Sequence, residues 1–298
     1  MRIATWNVNS LKARLEKVEW WLERARPDVL LLQETKLADD AAPVLPFRMA
    51  GYELAHHGEG RWNGVAIASR VGIDEVVTNF GDGPVRSSAA GTEPAEEDLD
   101  PSREARMVAA TCGGIRVVSL YAPNGRAVDS PFFRAKLRWF ERLARWLAET
   151  RSPDEPLVLG GDFNVAPTDE DVWAPELARG GTHVSPEERA AFERLRAWGL
   201  IDLYRLRHEE PGRYTWWDYR AGNFQRNEGM RIDHLLATAP VARRVVGADI
   251  DREARKGKPV PSDHAPLFVD LDEPGVAVDT GWEGADERFA ARRRAARA

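Results

Sequence analysis

The sequence predicts an α/β domain of two mixed β-sheets packed face to face with helices outside. Three observations predict it. Short apolar runs of strand length outnumber amphipathic runs of helix length. Many neighbouring strand-like runs are joined by Gly or polar turns, the mark of hairpins. The order is strand-helix-strands, then strand-helix-strand-helix-strands, rather than the regular alternation of a doubly wound parallel sheet.

Residues 3–8 read as the first strand, and residues 11–24 as an amphipathic helix with Leu11, Leu15, Val18 and Leu22 at helical spacing. Pro27 stops it. Residues 29–33 are continuously apolar up to Gln33, so a buried strand follows. Residues 51–55, 64–69 and 73–78 are further strands between Gly and polar turns. Residues 81–104 are rich in Gly, Pro, Ser, Ala and acids without periodicity and read as a mobile acidic loop. Strands resume at 107–112 and 115–121 across Gly113-Gly114, a hairpin turn. Residues 132–147 form a strong amphipathic helix and 157–160 a short buried strand. Residues 186–198 form a helix, with Ser185 as its N-cap and Glu188 completing a capping box. Later strands are placed at 214–217, 232–237, 245–250 and 265–269. One domain over 1–271 results, followed by a Gly- and charge-rich tail, 272–298, read as disordered apart from a short basic helix at 287–297.

The chain has 298 residues, of which 43% are hydrophobic, enough for one large core or two small ones. No apolar run reaches membrane-spanning length, and the N-terminus carries no signal pattern. A single cysteine, Cys112, excludes an intrachain disulfide and makes a reducing cytoplasm the default compartment. The net charge of −6 argues at first against nucleic acid. Residues 92–104 alone, however, hold six acids and one base. A carboxylate-rich metal site also counts as acidic until its ion binds. The overall sign therefore decides little.

Chemistry gathers where strands end. Glu34 follows the buried run Val29-Leu30-Leu31-Leu32-Gln33, and a carboxylate there suits a hard divalent cation; alone, it is more often a surface acid. Asn7 ends the first strand, placed to orient a carboxylate or a water, or simply to turn the chain. Asp162 and Asn164 stand in Leu159-Gly160-Gly161-Asp162-Phe163-Asn164, two residues apart and so on one side of an extended segment. There an Asp can take a proton from water and an Asn can donate to a phosphoryl oxygen, the alternative being an Asx turn. Asp263-His264 precedes a strand, and Asp233 opens another. An Asp–His pair can hold an imidazole protonated, whereas a lone turn histidine does nothing. Tyr121 ends a strand ahead of Ala122-Pro123-Asn124-Gly125-Arg126, a phosphate cradle or a packed turn. Trp216 and Trp217 are adjacent, so one faces the core and the other is free to line a pocket. His56, His57, His183 and His208 show no ligand spacing. Loop cations such as Arg126, Arg213, Arg220 and Arg226 are candidate phosphate contacts or plain solvated charge. Together these segments imply metal-assisted cleavage of a phosphate ester.

In their order, Trp6-Asn7-Val8-Asn9-Ser10, Leu32-Gln33-Glu34-Thr35-Lys36, Tyr121-Ala122-Pro123-Asn124-Gly125, Gly161-Asp162-Phe163-Asn164, Trp217-Asp218-Tyr219, Arg231-Ile232-Asp233 and Ser262-Asp263-His264 resemble the bacterial exodeoxyribonuclease III family. This is the abasic-site endonuclease branch of the exonuclease-endonuclease-phosphatase superfamily. The resemblance runs from residue 1 to about 271. It implies a four-layer α/β sandwich and Mg²⁺-dependent hydrolysis of DNA phosphodiesters, with Mn²⁺ as a substitute. The substrates implied are 3′ ends of double-stranded DNA, degraded 3′→5′, and abasic sites, cut on their 5′ side in base excision repair. By motif, Glu34 is the main metal ligand, assisted by Asn7, and Asp162, Asn164, Asp263 and His264 complete the metal-side set. Asp162 activates the attacking water. Asn164, Tyr121 and Asn124 hold the phosphate, and His264, oriented by Asp233, stabilises developing charge. Trp216, Met230 and Ile232 match the positions of an abasic-sugar pocket. Met230 and the acidic loop depart from the family pattern.

A phosphoesterase acting on a small lipid or inositol phosphate would keep Glu34, Asp162 and His264 without needing Trp216-Trp217. A catalytically dead DNA-binding module would have lost a metal or base residue, and none is lost. A monomer is the default, with no membrane partner.

Overall fold

The computed structural model describes residues 1–81 and 99–297. Most of the expected acidic loop, residues 82–98, lies outside the described residues. In chain order the elements are β1 (Arg2–Asn7), α1 (Leu11–Ala25), β2 (Val29–Gln33), α2 (Val44–Met49), β3 (Glu53–His57), β4 (Val65–Ser69), β5 (Asp74–Thr78), β6 (Met107–Cys112), β7 (Ile115–Tyr121), α3 (Pro131–Thr150) and β8 (Leu157–Asp162). The second part holds α4 (Pro175–Ala178), α5 (Pro186–Trp198), β9 (Ile201–Asp202), α6 (Asn223–Arg226), β10 (Asp233–Ala237), α7 (Ala239–Ala242), β11 (Val245–Ile250), β12 (Leu267–Leu271) and α8 (Ala285–Arg297).

The strands form two six-stranded mixed sheets, β11-β12-β1-β2-β4-β3 and β5-β6-β7-β8-β10-β9. Each contains one parallel pair, β1/β2 and β7/β8, joined by one amphipathic helix, α1 or α3. The remaining pairs are antiparallel, and the β6/β7 hairpin turns at Gly113-Gly114. Parallel pairing needs such a crossover, because strands running the same way cannot be closed by a tight turn.

Strands buried on both faces explain the continuous apolar runs. Ile3, Leu31, Ile67, Val117, Val158 and Leu235 fill the space between the sheets. Outside the first sheet, Trp21 and Leu22 of α1 cover Trp6, Leu30 and Leu32. Outside the second, Trp139, Phe140 and Leu143 of α3 and Phe192 and Leu195 of α5 cover Leu120 and Leu159. Three apolar interfaces separate helix, sheet, sheet and helix, so the molecule is a four-layer α/β sandwich. Gly160 sits where a Cβ would fall 2.5 Å from the Leu31 Cδ1 methyl across the interface, so a side chain there would displace that leucine. A polar tie crosses the same interface near its end. Gln33 accepts from Thr5 Oγ1 (3.1 Å) and donates to Ser119 Oγ (3.0 Å), which donates to the Leu32 carbonyl (2.9 Å).

The α5 capping box forms as read: the Ser185 hydroxyl accepts from Glu188 N–H (3.2 Å), and the Glu188 carboxylate accepts from Ser185 N–H (3.2 Å). Three readings change. Residues 214–217 are not a strand. Trp216 makes isolated bridges to Met230 on one side and His264 on the other, and a segment wedged between two loops has no continuous ladder to join. The last strand starts at Leu267 rather than Ala265, because Pro266 has no N–H to donate. Over its described residues, 272–297, the tail packs on the domain. Trp282 donates to the Ile250 carbonyl (2.7 Å), and Phe289 of α8 is 1% exposed in the inter-sheet core cluster. Two aromatics in a charge-rich stretch are enough to pin it. No helix among the described residues is long and apolar enough to cross a membrane.

Candidate active site

Both sheets end at one edge, and the register places the chemistry there. Tyr121 of β7 and Asp233 of β10 flank Asp162 of β8 as direct partners. Asn7 ends β1 opposite Gln33, so Glu34 emerges beside it from β2. His264 lies in the loop before β12. Gly161 precedes Asp162 with no room for a side chain, since a Cβ would collide with the Leu120 carbonyl oxygen. Glu34 (φ 51°) and Asn164 (φ 53°) both adopt left-handed backbone, which costs a non-glycine residue on the order of 1 kcal/mol and turns each side chain off its strand axis.

Asn7 knits the two carboxylates: its Nδ2 donates to Glu34 Oε1 (2.8 Å) and Asp162 Oδ2 (2.9 Å), while its Oδ1 accepts from Asn9 N–H (3.0 Å). Asp162 Oδ1 accepts from Asn164 N–H (2.9 Å). His264 Nδ1 meets Asp233 Oδ2 at 2.8 Å, and its Nε2 lies 3.8 Å from Asp162 Oδ2. Glu34, Asp162 and His264 thus bring ligand atoms within 4.8 Å of one another. Two carboxylates at that spacing match the oxygen preference of Mg²⁺ or Ca²⁺.

The electrostatics follow from burial. Desolvation, then the charge of Asp233, push Asp162 up to about 7, against the pull of His264 and the Asn7 bond. Burial alone would lower His264, but Asp233, Asp162 and Asp263 outweigh it and push the imidazole up to about 10. That shift favours the imidazolium, whose Nε2 faces Asp162. Burial, then the Glu34 charge, hold the Tyr121 phenol well above its ordinary range, so it remains a donor.

On the far side of Asp162, Asn164 Nδ2 donates to the Ala122 carbonyl (2.9 Å), and Asn124 Nδ2 donates to Asn164 Oδ1 (3.3 Å). Asn124 and Asn164 therefore sit together, and Tyr121 stands in strand register with Asp162. Asp263 stands beside the carboxylate cluster rather than in it. Its two oxygens accept from Asn9 Nδ2 (3.0 Å) and Trp216 Nε1 (3.1 Å). The same bond ties Trp216 to the site. Trp216 and Met230, both half-buried, pack on Ile232, Val172 and Ala166. Ile232, 2% exposed, is the floor of this patch rather than its surface. Trp217 points the other way, fully buried, with its Nε1 donating to Asn227 Oδ1 (3.1 Å).

Three residues have supporting roles beyond those legible in the sequence. Lys136 and Glu188 form a fully buried ion pair, and Lys136 Nζ donates to the Asn164 carbonyl (2.7 Å) and the Asn124 carbonyl (3.3 Å). The signal existed: Lys136 falls on the stripe of Phe133, Phe140 and Leu143, where a charge needs a partner. His183 holds the Asn164 carbonyl through Nδ1 (2.6 Å) and lies 3.5 Å from Asn124 Nδ2 through Nε2. Burial, then the Lys136 charge, lower it to about 4, so it is neutral. A lone histidine in a Gly-Thr loop carries no such signal. The loop cations mostly pair locally, Arg220 with Asp218 and Arg226 with Glu228.

The model of the Endonuclease/Exonuclease/phosphatase family matches residues 4–264. Exodeoxyribonuclease III of Haemophilus influenzae is 31% identical over 279 residues, which cover 91% of this chain and 100% of that protein. The structure of an AP endonuclease from Archaeoglobus fulgidus superposes with a TM-score of 0.82 at 35% identity, covering 92% of this chain and 100% of that one. A 3′-5′ exonuclease (NExo) from Neisseria meningitidis gives a TM-score of 0.80 at 40% identity, with the same coverage.

Proposed function

The chain belongs to the Endonuclease/Exonuclease/phosphatase family, and from that premise we propose that it is a DNA phosphodiesterase of the exodeoxyribonuclease III kind. It degrades duplex DNA from 3′ ends and cuts at abasic sites, with Mg²⁺ or Mn²⁺ as cofactor. The observation that carries this reading is the meeting of Glu34, Asp162 and the Asp233–His264 pair beside the Trp216–Met230 patch.

Glu34 and Asp162 are the residues that would hold the divalent cation, which would neutralise phosphate charge and favour ionised carboxylates. The chain's own groups do the rest. Asp162 accepts a proton from the attacking water as the new O–P bond forms, the P–O ester bond opposite breaks, and the leaving oxygen takes a proton from solvent to become a hydroxyl. Without a cation, burial and the Asp233 charge raise its affinity for a proton, and a bound cation would oppose that rise. His264 donates from Nε2 to a non-bridging phosphoryl oxygen, with Asp233 fixing the ring and the charge. Asn124, Asn164 and Tyr121 hold the phosphate from the other side. Such preorganised donors need no rearrangement as charge develops. The Trp216–Met230–Ile232 patch accepts a sugar without its base. An abasic nucleotide also costs less to extrude, having no stacked base to lose.

The test is a duplex oligonucleotide with one abasic-site analogue, incubated with the protein and Mg²⁺ or with EDTA. A single cut 5′ to the lesion in Mg²⁺ alone is expected. An intact strand in both lanes, with phosphate released from a small phosphoester instead, contradicts the proposal.

A further inference from the structure

The C-terminal helix α8 carries a run of arginines after its first turn. β12 runs away from His264, and its last residue, Leu271, pairs with Val245. The chain then doubles back along β11, because Trp282 bonds the carbonyl of Ile250, whose strand partner is Leu267, close to His264. α8 therefore starts near the edge where the site lies. Phe289 is its anchor, packed edge-on against Trp282, with the Arg252 guanidinium 4.6 Å from its ring centroid. Trp282 in turn lies against Trp217, the residue after Trp216.

Arg288, Arg292 and Arg294 of α8 are exposed. Among the described residues none of them forms an ion pair; Arg292 and the half-buried Arg293 donate to the carbonyls of Gln225 (3.1 Å) and Arg226 (3.5 Å). The α6 loop they touch also carries Arg220, 87% exposed and paired with Asp218. The exposed acids on α8, Asp286 and Glu287, are confined to its first turn. Acids first and arginines last suit the helix dipole, which accounts for their order but not for so many exposed guanidinium groups without carboxylate partners. The chain as a whole is acidic, so a patch this basic is a local concentration rather than a general bias. The helix also lies beyond residue 264, where the family match stops.

We propose that α8 is an accessory DNA-binding element: Arg288, Arg292 and Arg294 bind the phosphate backbone of the duplex flanking the cleavage site, extending the footprint past the α6 loop. This rests on the DNA-nuclease reading. Exposed arginines beside a site that takes duplex DNA match a row of phosphates, and each phosphate they neutralise releases condensed counterions.

The test uses the full-length protein carrying Arg288→Gln, Arg292→Gln and Arg294→Gln together, with Phe289 and Arg293 kept so that the helix stays docked. Affinity for a 30-base-pair abasic duplex is measured in EDTA across a salt series, with the melting temperature as a fold control. The expected result is roughly tenfold weaker binding at low salt. The slope of log K against log salt should flatten by up to about 0.9 for each phosphate that is no longer neutralised. The single-turnover cleavage rate at saturating duplex should be unchanged. The three arginines replaced by Lys should bind nearly as well as the parent. Equal affinity and equal salt slope in the Gln variant, with a parent that binds and cuts duplex, overturn this inference alone. Loss of self-association in the variant without loss of DNA affinity would assign the helix to a second copy of the chain and also overturn it. A parent that neither binds nor cuts duplex removes the functional reading itself.

Discussion

At the residue scale, the site is a set of buried charges held in particular protonation states. Asp162 titrates near 7 in the fold and near 3.9 when unfolded, so the folded protein binds more protons between those values. This group's contribution to stability therefore falls as pH rises through that window, against the opposite contribution of the lowered His183 below about 6.5. His264, raised to about 10, adds the same sign between about 6.5 and 10: its contribution is full below the unfolded value and is lost as pH passes the folded one. The metal-free protein should thus melt at a lower temperature at about pH 9 than at about pH 5, and Asp162→Asn should remove the acid half of that slope. Identical pH profiles in the parent and in Asp162→Asn between pH 4 and 7 would refute the raised aspartate, since His183, lowered to about 4, adds the opposite slope below about 6.5 in both. Divalent-ion affinity should rise with pH over the same range, since binding competes with the Asp162 proton. Trp216 allows a separate test. Trp216→Ala should lower abasic-site cleavage about tenfold or more while exonuclease activity falls less, because only the former needs a shaped sugar pocket. Equal losses would sink the pocket assignment.

At the element scale, much depends on how α3 and α5 support the phosphate side. The Lys136–Glu188 pair is fully buried, so removing one member leaves an uncompensated charge, at a cost of about 3–5 kcal/mol. Lys136→Met should lower unfolding stability by that order in urea melts, and Lys136→Met with Glu188→Gln should recover part of it. A single variant as stable as the parent would mean the pair is not buried as described. Element boundaries were most legible where local rules agree. The β6/β7 hairpin is two β-rich runs about a double glycine, and α5 carries a complete capping box. Legibility failed where tertiary partners decide. Residues 214–217 have strand composition but only loops to pair with, and the tail has tail composition but two aromatics that find a pocket. His183 belongs to the same class, since its role exists only because a loop brings it to the Asn164 carbonyl.

At the scale of the whole molecule, the sandwich assembles one site from strands of both sheets. Asn7 and Glu34 arrive on the first sheet, and Tyr121, Asp162 and Asp233 on the second. The motifs were readable because each follows or opens an apolar run. Their convergence was not, because which strands pair, and in what order, depends on residues far apart in sequence. The Gln33–Ser119 hydrogen bond ties the two sheets near the edge that carries Glu34 and Asp162, which the Asn7 amide bridges directly. The most direct measurement is single-turnover cleavage of an abasic duplex by Asp162→Asn, run with duplex affinity and melting temperature on the same preparation. The account predicts a rate at least about a thousandfold lower, with the fold kept and duplex affinity within a few-fold of the parent, as loss of a general base from an intact site requires. A variant that folds, binds and cuts at the parental rate would contradict it.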